Sequence, residues 1–540
     1  MGLGLGLGLG LGSGSGLGAG STYSTSLKPS KEINSPSLSS IIIDLSFLTF
    51  SSPVIWLNLM CAAPALAFFA FAQGNESAPA EASYEITDPY AEVDWDSWEI
   101  YKAQLHTHSN ASDGYLPIRE VVEKHYDLNY DILAVTDHGT INRGWDKKPQ
   151  LVPLLRLVKY ERTKLAPIYP LTAAEYEAYT AGTAASTTRT HKNGMLDIPQ
   201  GIELNMATPK CDCHLTGYFA DYGQGLAGVY GDYETPSNGV NRKGGISMLS
   251  HVGEYVYPDK DSAEHVGQKI DEYYVNKFAR IFLDNKGSSV GMGINSATDE
   301  HTRCDRILYD QILQKTIPNG VVPWGFAFAD SHNVRSLNDA YTMMVLPELT
   351  NESFRKGMEN GWCFAVSHYS NGVELNGMEE IPGFDGEKLM ETEAYLRDDT
   401  PLVTRVTVDD ENDTISIEGE NFNSITWVSN CNVIRRETGI SDGKATLDLR
   451  ADDLLDTPYL YVRFYITGDN GICYSQPFVI SRDGEDFGKV RVPKTHDIST
   501  LLRTTVTVLD WTCFRFNPII WAFKFFFLGY NVFDRFFDPY

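Results

Sequence analysis

The 540-residue chain contains His106-Thr107-His108, and much later Asp330-Ser331-His332. Side chains alternate along an extended strand with period two, so each pattern presents its two ligating groups on one side of the backbone. Two imidazoles placed this way can chelate one ion, yet an H-x-H pair arises readily by chance. Further candidates stand between the two patterns: Asp113 in Ser112-Asp113-Gly114, His138 in Asp137-His138-Gly139, Glu203 in Gly201-Ile202-Glu203, His214, and His251 in Leu249-Ser250-His251. Glu203 follows an apolar stretch, where a carboxylate is costly unless it is paired or bound to metal. Mixed imidazole and carboxylate ligation suits zinc, manganese or iron better than magnesium or calcium. Clustered cations of that kind lower the pKa of bound water, for zinc to about 7, and so support hydrolysis at neutral pH.

These residues need strand ends to hold them. Short apolar runs recur at residues 101–105, 131–135, 198–204, 215–219, 246–249, 289–294 and 322–328, with helical periodicity between several of them, as at 118–128 and 304–316. Strand alternating with helix predicts a parallel sheet, and seven strands with ligands at their ends predict a barrel. Near Pro401 the pattern becomes short alternating runs at 403–408, 414–418, 424–428, 445–449, 459–466 and 472–480, which predicts a small antiparallel sandwich. The expected division is a leader at 1–73, an acidic exposed linker at 74–97, a hydrolase domain at 98–393, a sandwich at 394–483 and an aromatic tail at 484–540. Residues 146–190 form an insertion that could be a flap over the site or an ordinary helix of the frame.

A net charge of −27 argues against a broad nucleic-acid surface. Leu45 to Gly74 carries no charge and ends in Ala70-Phe71-Ala72, the form of an export signal with a small-x-small cleavage site; a membrane anchor and a buried helix are the alternatives. Secretion or attachment to a cell surface is therefore expected. The tail around Trp521 and Phe525-Phe526-Phe527 is too short to span a bilayer but could lie at its surface or dock on the protein. Among the cysteines, Cys211 and Cys213 beside His214 offer an alternative thiolate site, without the second pair that structural zinc needs. His125, His191, His265, His301, His368 and His496 fall in ordinary contexts.

In order and type, H-x-H, Asp, D-H, Glu, two separate histidines and D-x-H, residues 98–369 resemble the PHP (polymerase and histidinol phosphatase) family of metal-dependent hydrolases, closest to its secreted carbaryl-hydrolase-like branch. The resemblance implies a distorted seven-stranded (β/α)7 barrel and three divalent ions. The first would be held by His106, His108, Glu203 and Asp330, the second by Glu203, His214 and His251, and the third by Asp113, His138 and His332. It implies a metal-bridging hydroxide that attacks a phosphoester, with Glu203, Asp330 and His332 central to catalysis and a small-molecule ester as substrate. A carboxylic ester or carbamate is the alternative substrate, and a non-catalytic surface-binding protein the third reading. Arg143, Arg242, Lys243, Arg303 and Arg335 are candidate anion clamps. Gly293 stands where many relatives carry an acid.

Overall fold

The computed structural model describes residues 83–149, 168–207, 212–223, 229–230, 232–254, 256, 270–296, 303–368 and 399–494. The leader, the middle of the insertion, the aromatic tail and His265, His301 and His496 lie outside them. Part of the expected linker turns out to be a strand. In β1 (Tyr84–Thr87), Tyr84 and Ile86 are buried while Glu85 and Thr87 are exposed, the alternation of a half-buried strand. It pairs antiparallel with β20 (Phe478–Arg482) at the far end of the chain. Tyr90 follows, fully buried, donating through its hydroxyl to Cys363 O at 3.2 Å.

The frame of the site then runs β2 (Glu99–Gln104), α1 (Ile118–Asp127), β3 (Ile132–Leu133), α2 (Ala173–Thr180), β4 (Leu196–Asp197), β5 (Ile202–Ala207), β6 (Asp212–Tyr218), β7 (Val229–Tyr230), α3 (Glu234–Arg242), β8 (Ile246–Ser250), α4 (Glu272–Asp284), β9 (Ser289–Ser296), α5 (Arg303–Thr316), β10 (Trp324–Phe328), β11 (Ala340–Leu346), α6 (Asn351–Asn360) and β12 (Cys363–Ser367). Helical spacing explains α1, which buries Ile118, Val121, Val122, His125 and Tyr126 on one face.

These strands form two mixed sheets, and no closed seven-stranded barrel is found among the described residues. One sheet has the order β10-β9-β8-β6-β5-β7; the other includes β4-β3-β2-β11-β12. The pairs β8–β9, β9–β10 and β2–β3 are parallel as expected, but β6 runs antiparallel to both β5 and β8. The physical reason is length: only residues 208–211 separate β5 from β6, enough for a hairpin, whereas a parallel crossover needs roughly a dozen or more. Single bridges link the two sheets at the level of the candidate ligands, Thr107 with Ser331 and His138 with Glu203.

The C-terminal strands β13 (Leu402–Asp409), β14 (Thr414–Glu420), β15 (Ser424–Ser429), β16 (Asn432–Thr438), β17 (Lys444–Asp448), β18 (Leu460–Gly468) and β19 (Gly471–Tyr474) are all antiparallel, as the alternation predicts. Strand β16, with Arg435-Arg436 in its middle, escapes the sequence reading because it pairs only with β15 and lies at an edge, where charge is favoured. The sandwich shares a sheet with the frame: β19 pairs with β12, and Trp427, Phe464 and Phe478 belong to the same apolar core as Leu105 and Val121. A buried ion pair joins the two regions. Arg463 of β18 donates from Nε and Nη2 to the two oxygens of Asp310 on α5, at 2.9 and 2.6 Å, while the Tyr461 hydroxyl donates to the same carboxylate at 2.6 Å. Breaking such a pair leaves an uncompensated buried charge.

Helix α2 settles the described part of the insertion beside α1. Arg119 bonds Glu175 at 2.7 Å, and Tyr126 meets Tyr179 edge-on at 5.1 Å. Farther along, Arg189, His191 and Asn193 converge on the Asp131 carboxylate, just before β3 and so at the end of the sheet away from the candidate ligands. His125, read as ordinary, is buried, with Nδ1 on Val121 O at 2.7 Å and no hydrogen bond to Nε2. Burial pushes its pKa down to about 4, so the unfolded chain binds the proton first as pH falls. The resulting stabilisation is complete above pH about 6.5 and is lost as pH falls towards 4, roughly 3 kcal/mol in all at 1.36 kcal/mol per unit. Chemical denaturation at pH 7.5 and at pH 4.5 should show a smaller acid-induced loss of stability in His125→Leu than in wild type; equal losses would remove His125 as the cause.

Candidate metal centre

Glu203, second residue of β5, has no exposed side-chain surface and is ringed by imidazoles. Its Oε1 lies 2.7 Å from His214 Nδ1, 3.3 Å from His251 Nε2 and 3.3 Å from His106 Nε2. Its Oε2 lies 2.8 Å from His138 Nδ1 and 3.3 Å from His108 Nε2. The antiparallel ladder explains part of this convergence, because β6 sets His214 opposite both Asn205 of β5 and Ser250 of β8, with His251 one step beyond. Asp330, two residues past β10, puts Oδ1 3.1 Å from His106 Nε2 and 3.0 Å from His108 Nε2. Asp113, carried by the loop after β2, lies 3.4 Å from His108 Nδ1, 3.6 Å from His138 Nε2 and 3.4 Å from His332 Nε2.

All nine residues singled out as ligands thus meet in one cluster. Four groups within it could each hold an ion: His106, His108 and Asp330; His106, Glu203 and His251; His138, Glu203 and His214; and His108, Asp113, His138 and His332. The grouping is less tidy than the resemblance implies, since His108 also stands with the loop group and His138 also stands beside Glu203 and His214. The donor set fits divalent metal. Ligand atoms roughly 2.0–2.2 Å from a tetrahedral ion stand roughly 3.3–3.6 Å apart, the spacing of Glu203 from His106, His108 and His251 and of Asp113 from its three imidazoles, whereas His214 and His138 stand closer to Glu203, at 2.7 and 2.8 Å. Moreover, His106 Nε2 and Glu203 Oε2 are buried and make no hydrogen bond, although they point into the cluster; such groups require a partner.

Electrostatics prepares the carboxylates to act as ligands. Burial opposes ionisation of Glu203, but the imidazoles of His138, His214 and His106 outweigh it and hold its carboxyl well below the usual range. Asp330 behaves the same way through His106 and His251, and Asp113 through His138, His332 and His108. Burial brings His214 down to about 4 and lowers His138, which favours the neutral form in which an imidazole ligates metal. His108 moves the other way. Burial favours its neutral form, but Asp330, Glu203 and Asp113 together raise it well above the ordinary value.

Residues absent from the sequence reading fix the ring orientations. Thr136 Oγ1 lies 2.6 Å from His106 Nδ1, which turns Nε2 towards Glu203. Gln104 accepts from the backbone N–H of His106 at 3.3 Å and of Ala329 at 3.0 Å, tying the ends of β2 and β10 together. Period two places Gln104 on the face of His106 and His108, so it was legible in principle; Thr136 was not, because its partner belongs to another strand. Asn205 lies 2.7 Å from His138 Nδ1. Two residues of the cluster carry backbone strain: His251 has φ +21° and Asp330 φ +47°. For residues other than glycine this costs of order 1–3 kcal/mol each, and it is how the chain turns their side chains inward as the strands end.

Gly139, with φ +58°, makes the turn after His138. At Gly293 any Cβ would lie 2.5 Å from the Phe328 ring, which itself packs edge-on against His106 at 5.2 Å. An aromatic side chain therefore fills the space beside Gly293, where the resemblance to the PHP family implies an acid. Cys213 is buried in an apolar cluster, on the opposite face of β6 from its neighbour His214, so it does not join His214 as a thiolate ligand.

No protein-family model and no curated protein matches the sequence. Similar solved structures include a two-domain protein containing a predicted PHP-like metal-dependent phosphoesterase from Bacteroides vulgatus, at 14% identity and a TM-score of 0.35, covering 74% of this chain and 99% of that one. A lesion-specific endonuclease from Pyrococcus furiosus has 12% identity and a TM-score of 0.27, covering 48% of this chain and 56% of that one. An amidohydrolase from Chromobacterium violaceum has 14% identity and a TM-score of 0.24, covering 43% and 87%.

Zinc uptake by the metal-free protein at pH 7 should release protons, because the raised pKa keeps His108 charged until it becomes a ligand. Affinity should accordingly fall as pH falls. Calorimetry in two buffers of different ionisation enthalpy reads the protons released, and Glu203→Gln should lower zinc affinity at least a hundredfold. Wild-type affinity in that variant would mean that Glu203 is not a ligand.

Proposed function

We propose that the chain is a metal-dependent hydrolase of the PHP type acting on phosphoesters. The observation that carries this reading is the unexposed Glu203 carboxylate shared among the imidazoles of His106, His108, His138, His214 and His251. Divalent ions held there, zinc, manganese or iron by donor type, supply Lewis acidity and a nucleophilic hydroxide at neutral pH. Both oxygens of Glu203 face imidazoles, so its part is to hold the centre together. The solvent side is formed by Asp113, Asp330 and His332, whose side chains are 17%, 23% and 30% exposed; a substrate meets these first, and they orient it against the buried ligands.

The arginine positions favour an anionic substrate. Arg143 is engaged by both oxygens of Asp221 at 3.0 Å. Arg242 and Lys243 precede β8, whereas His251 follows it, so the length of that strand, roughly 16 Å at 3.3 Å per residue, separates them from the ligands. The side chain of Arg303 lies outside the described residues. Arg335 is exposed, three residues beyond His332 on the short turn Val334–Ser336, and bonds no carboxylate among the described residues. It is the residue best placed to clamp a phosphoryl oxygen. A carbonyl ester or carbamate, the second reading, requires no such cation.

Turnover of p-nitrophenyl phosphate, bis(p-nitrophenyl) phosphate and p-nitrophenyl acetate by the zinc- or manganese-loaded protein tests the assignment. Phosphoester hydrolysis should exceed ester hydrolysis and fall at least a hundredfold in Glu203→Gln. Arg335→Ala should raise KM for the phosphoester roughly tenfold with kcat little changed. A preference for the acetate that is indifferent to Arg335 would move the assignment to carbonyl esters.

A further inference from the structure

The acid of Asp137-His138 is not among the ligands, yet it is fully buried and accepts four hydrogen bonds. Its Oδ1 receives the Ser109 backbone N–H at 2.8 Å and the Ser112 hydroxyl at 2.7 Å. Its Oδ2 receives the Ser109 hydroxyl at 2.7 Å and Asn142 Nδ2 at 2.9 Å. Two of these partners belong to the loop between His108 and Asp113, and that loop is wound tightly on Ser109, whose carbonyl accepts from the N–H groups of Ser112 and Gly114. The close winding leaves no room for a side chain at Gly114, where a Cβ would lie 2.6 Å from His108 O. On the other side of Asp137, Gly139 N–H donates to Glu203 O at 2.7 Å and Asn142 N–H to Gly201 O at 3.0 Å. One carboxylate therefore joins the loop bearing His108 and Asp113 to the turn bearing His138, and backbone hydrogen bonds join that turn to the strand bearing Glu203.

Ser112 gives the arrangement a direction. Its oxygen lies 2.7 Å from Asp137, 3.2 Å from His108 Nδ1 and 3.3 Å from Asp113. A hydroxyl has one hydrogen to give, and the shortest of these contacts, to a buried carboxylate, takes it. The oxygen lone pairs then face His108 Nδ1, which must carry hydrogen to bond them. In the neutral ring that ligates metal, this fixes the lone pair of His108 on Nε2, the atom facing Asp330 and Glu203 at 3.0 and 3.3 Å. Outer-shell partners of this kind orient ligating histidines and fix their tautomer.

We infer that Asp137 is a positioning residue of the centre, acting through Ser112 to hold His108 in the tautomer and orientation that ligate metal. The inference rests on the reading of the cluster as a metal centre. Asp137 touches neither the ligand atoms nor the substrate side, so its action goes through Ser112 and the loop that Ser112 belongs to.

The test is a double-mutant cycle on the full chain with Zn²⁺ alone as the probe, read by competition with a chromogenic chelator, with thermal melting of each metal-free protein alongside. Asp137→Asn and Ser112→Ala should each weaken zinc binding roughly ten- to hundredfold, and the double variant should bind no more weakly than the weaker single one, because both changes break the same chain. Ser112→Ala removes one hydroxyl and keeps the loop, so it remains informative should Asp137→Asn fold poorly. Losses that multiply in the double variant, or zinc affinity unchanged in Ser112→Ala, would overturn the relay. A wild-type protein that binds no zinc would instead overturn the metal centre itself, an outcome the same titration separates from the first.

Discussion

A carboxylate with no access to water must be compensated where it lies, and the site of this protein is organised around that requirement at Glu203. Five imidazoles from four separate segments approach its two oxygens. The same contacts that stabilise the charge gather the ligands. A neutral imidazole compensates a carboxylate only in part, so the cluster has the donors and the charge to accept cations. The orphaned nitrogen of His106 and the strained backbone at His251 and Asp330 are consistent with a centre organised for an ion, at some expense to the fold around it.

Holding those segments in register falls to a frame of two mixed sheets. Gln104 ties the ends of β2 and β10, and the hydroxyl of Tyr218, buried in β6, donates to Leu105 O at 2.6 Å. Each bond crosses from one sheet to the other just beneath the ligands. The sandwich contributes from farther away: it extends the sheet containing β2, shares its apolar core and is pinned to α5 through Asp310 and Arg463. In physical terms it is part of the scaffold on which the ligand-bearing loops rest.

Much of this was legible in the chain itself. Period-two spacing at His106 and His108 and at Asp330 and His332, and an acid after an apolar run at Glu203, pointed to five of the side chains now found in the cluster; Asp113, His138, His214 and His251 stood out by their places near strand ends. Helix α1 and the C-terminal strands other than β16 followed from their patterns, and in α1, β14 and β17 burial of one face imposes the repeat directly. The closed parallel barrel did not follow. Alternating strand and helix says that strands exist; their direction depends on connection length and on which neighbours pair, as the short link between β5 and β6 shows. Nor did the linker reading survive, because β1 becomes a strand only by pairing with β20, nearly four hundred residues away in sequence.

By itself, then, the sequence marked out the side chains that gather in the cluster and the side of each strand on which they stand, because residue type and local periodicity are properties of the chain alone. Tertiary structure decided how those ligands are shared. His108 and His138 each face more than one group of partners, Phe328 occupies the space beside Gly293, and Asp137 turns from a motif neighbour into the joint between two ligand-bearing loops. Those outcomes depend on distances between segments brought together by long-range pairing, which no local pattern encodes.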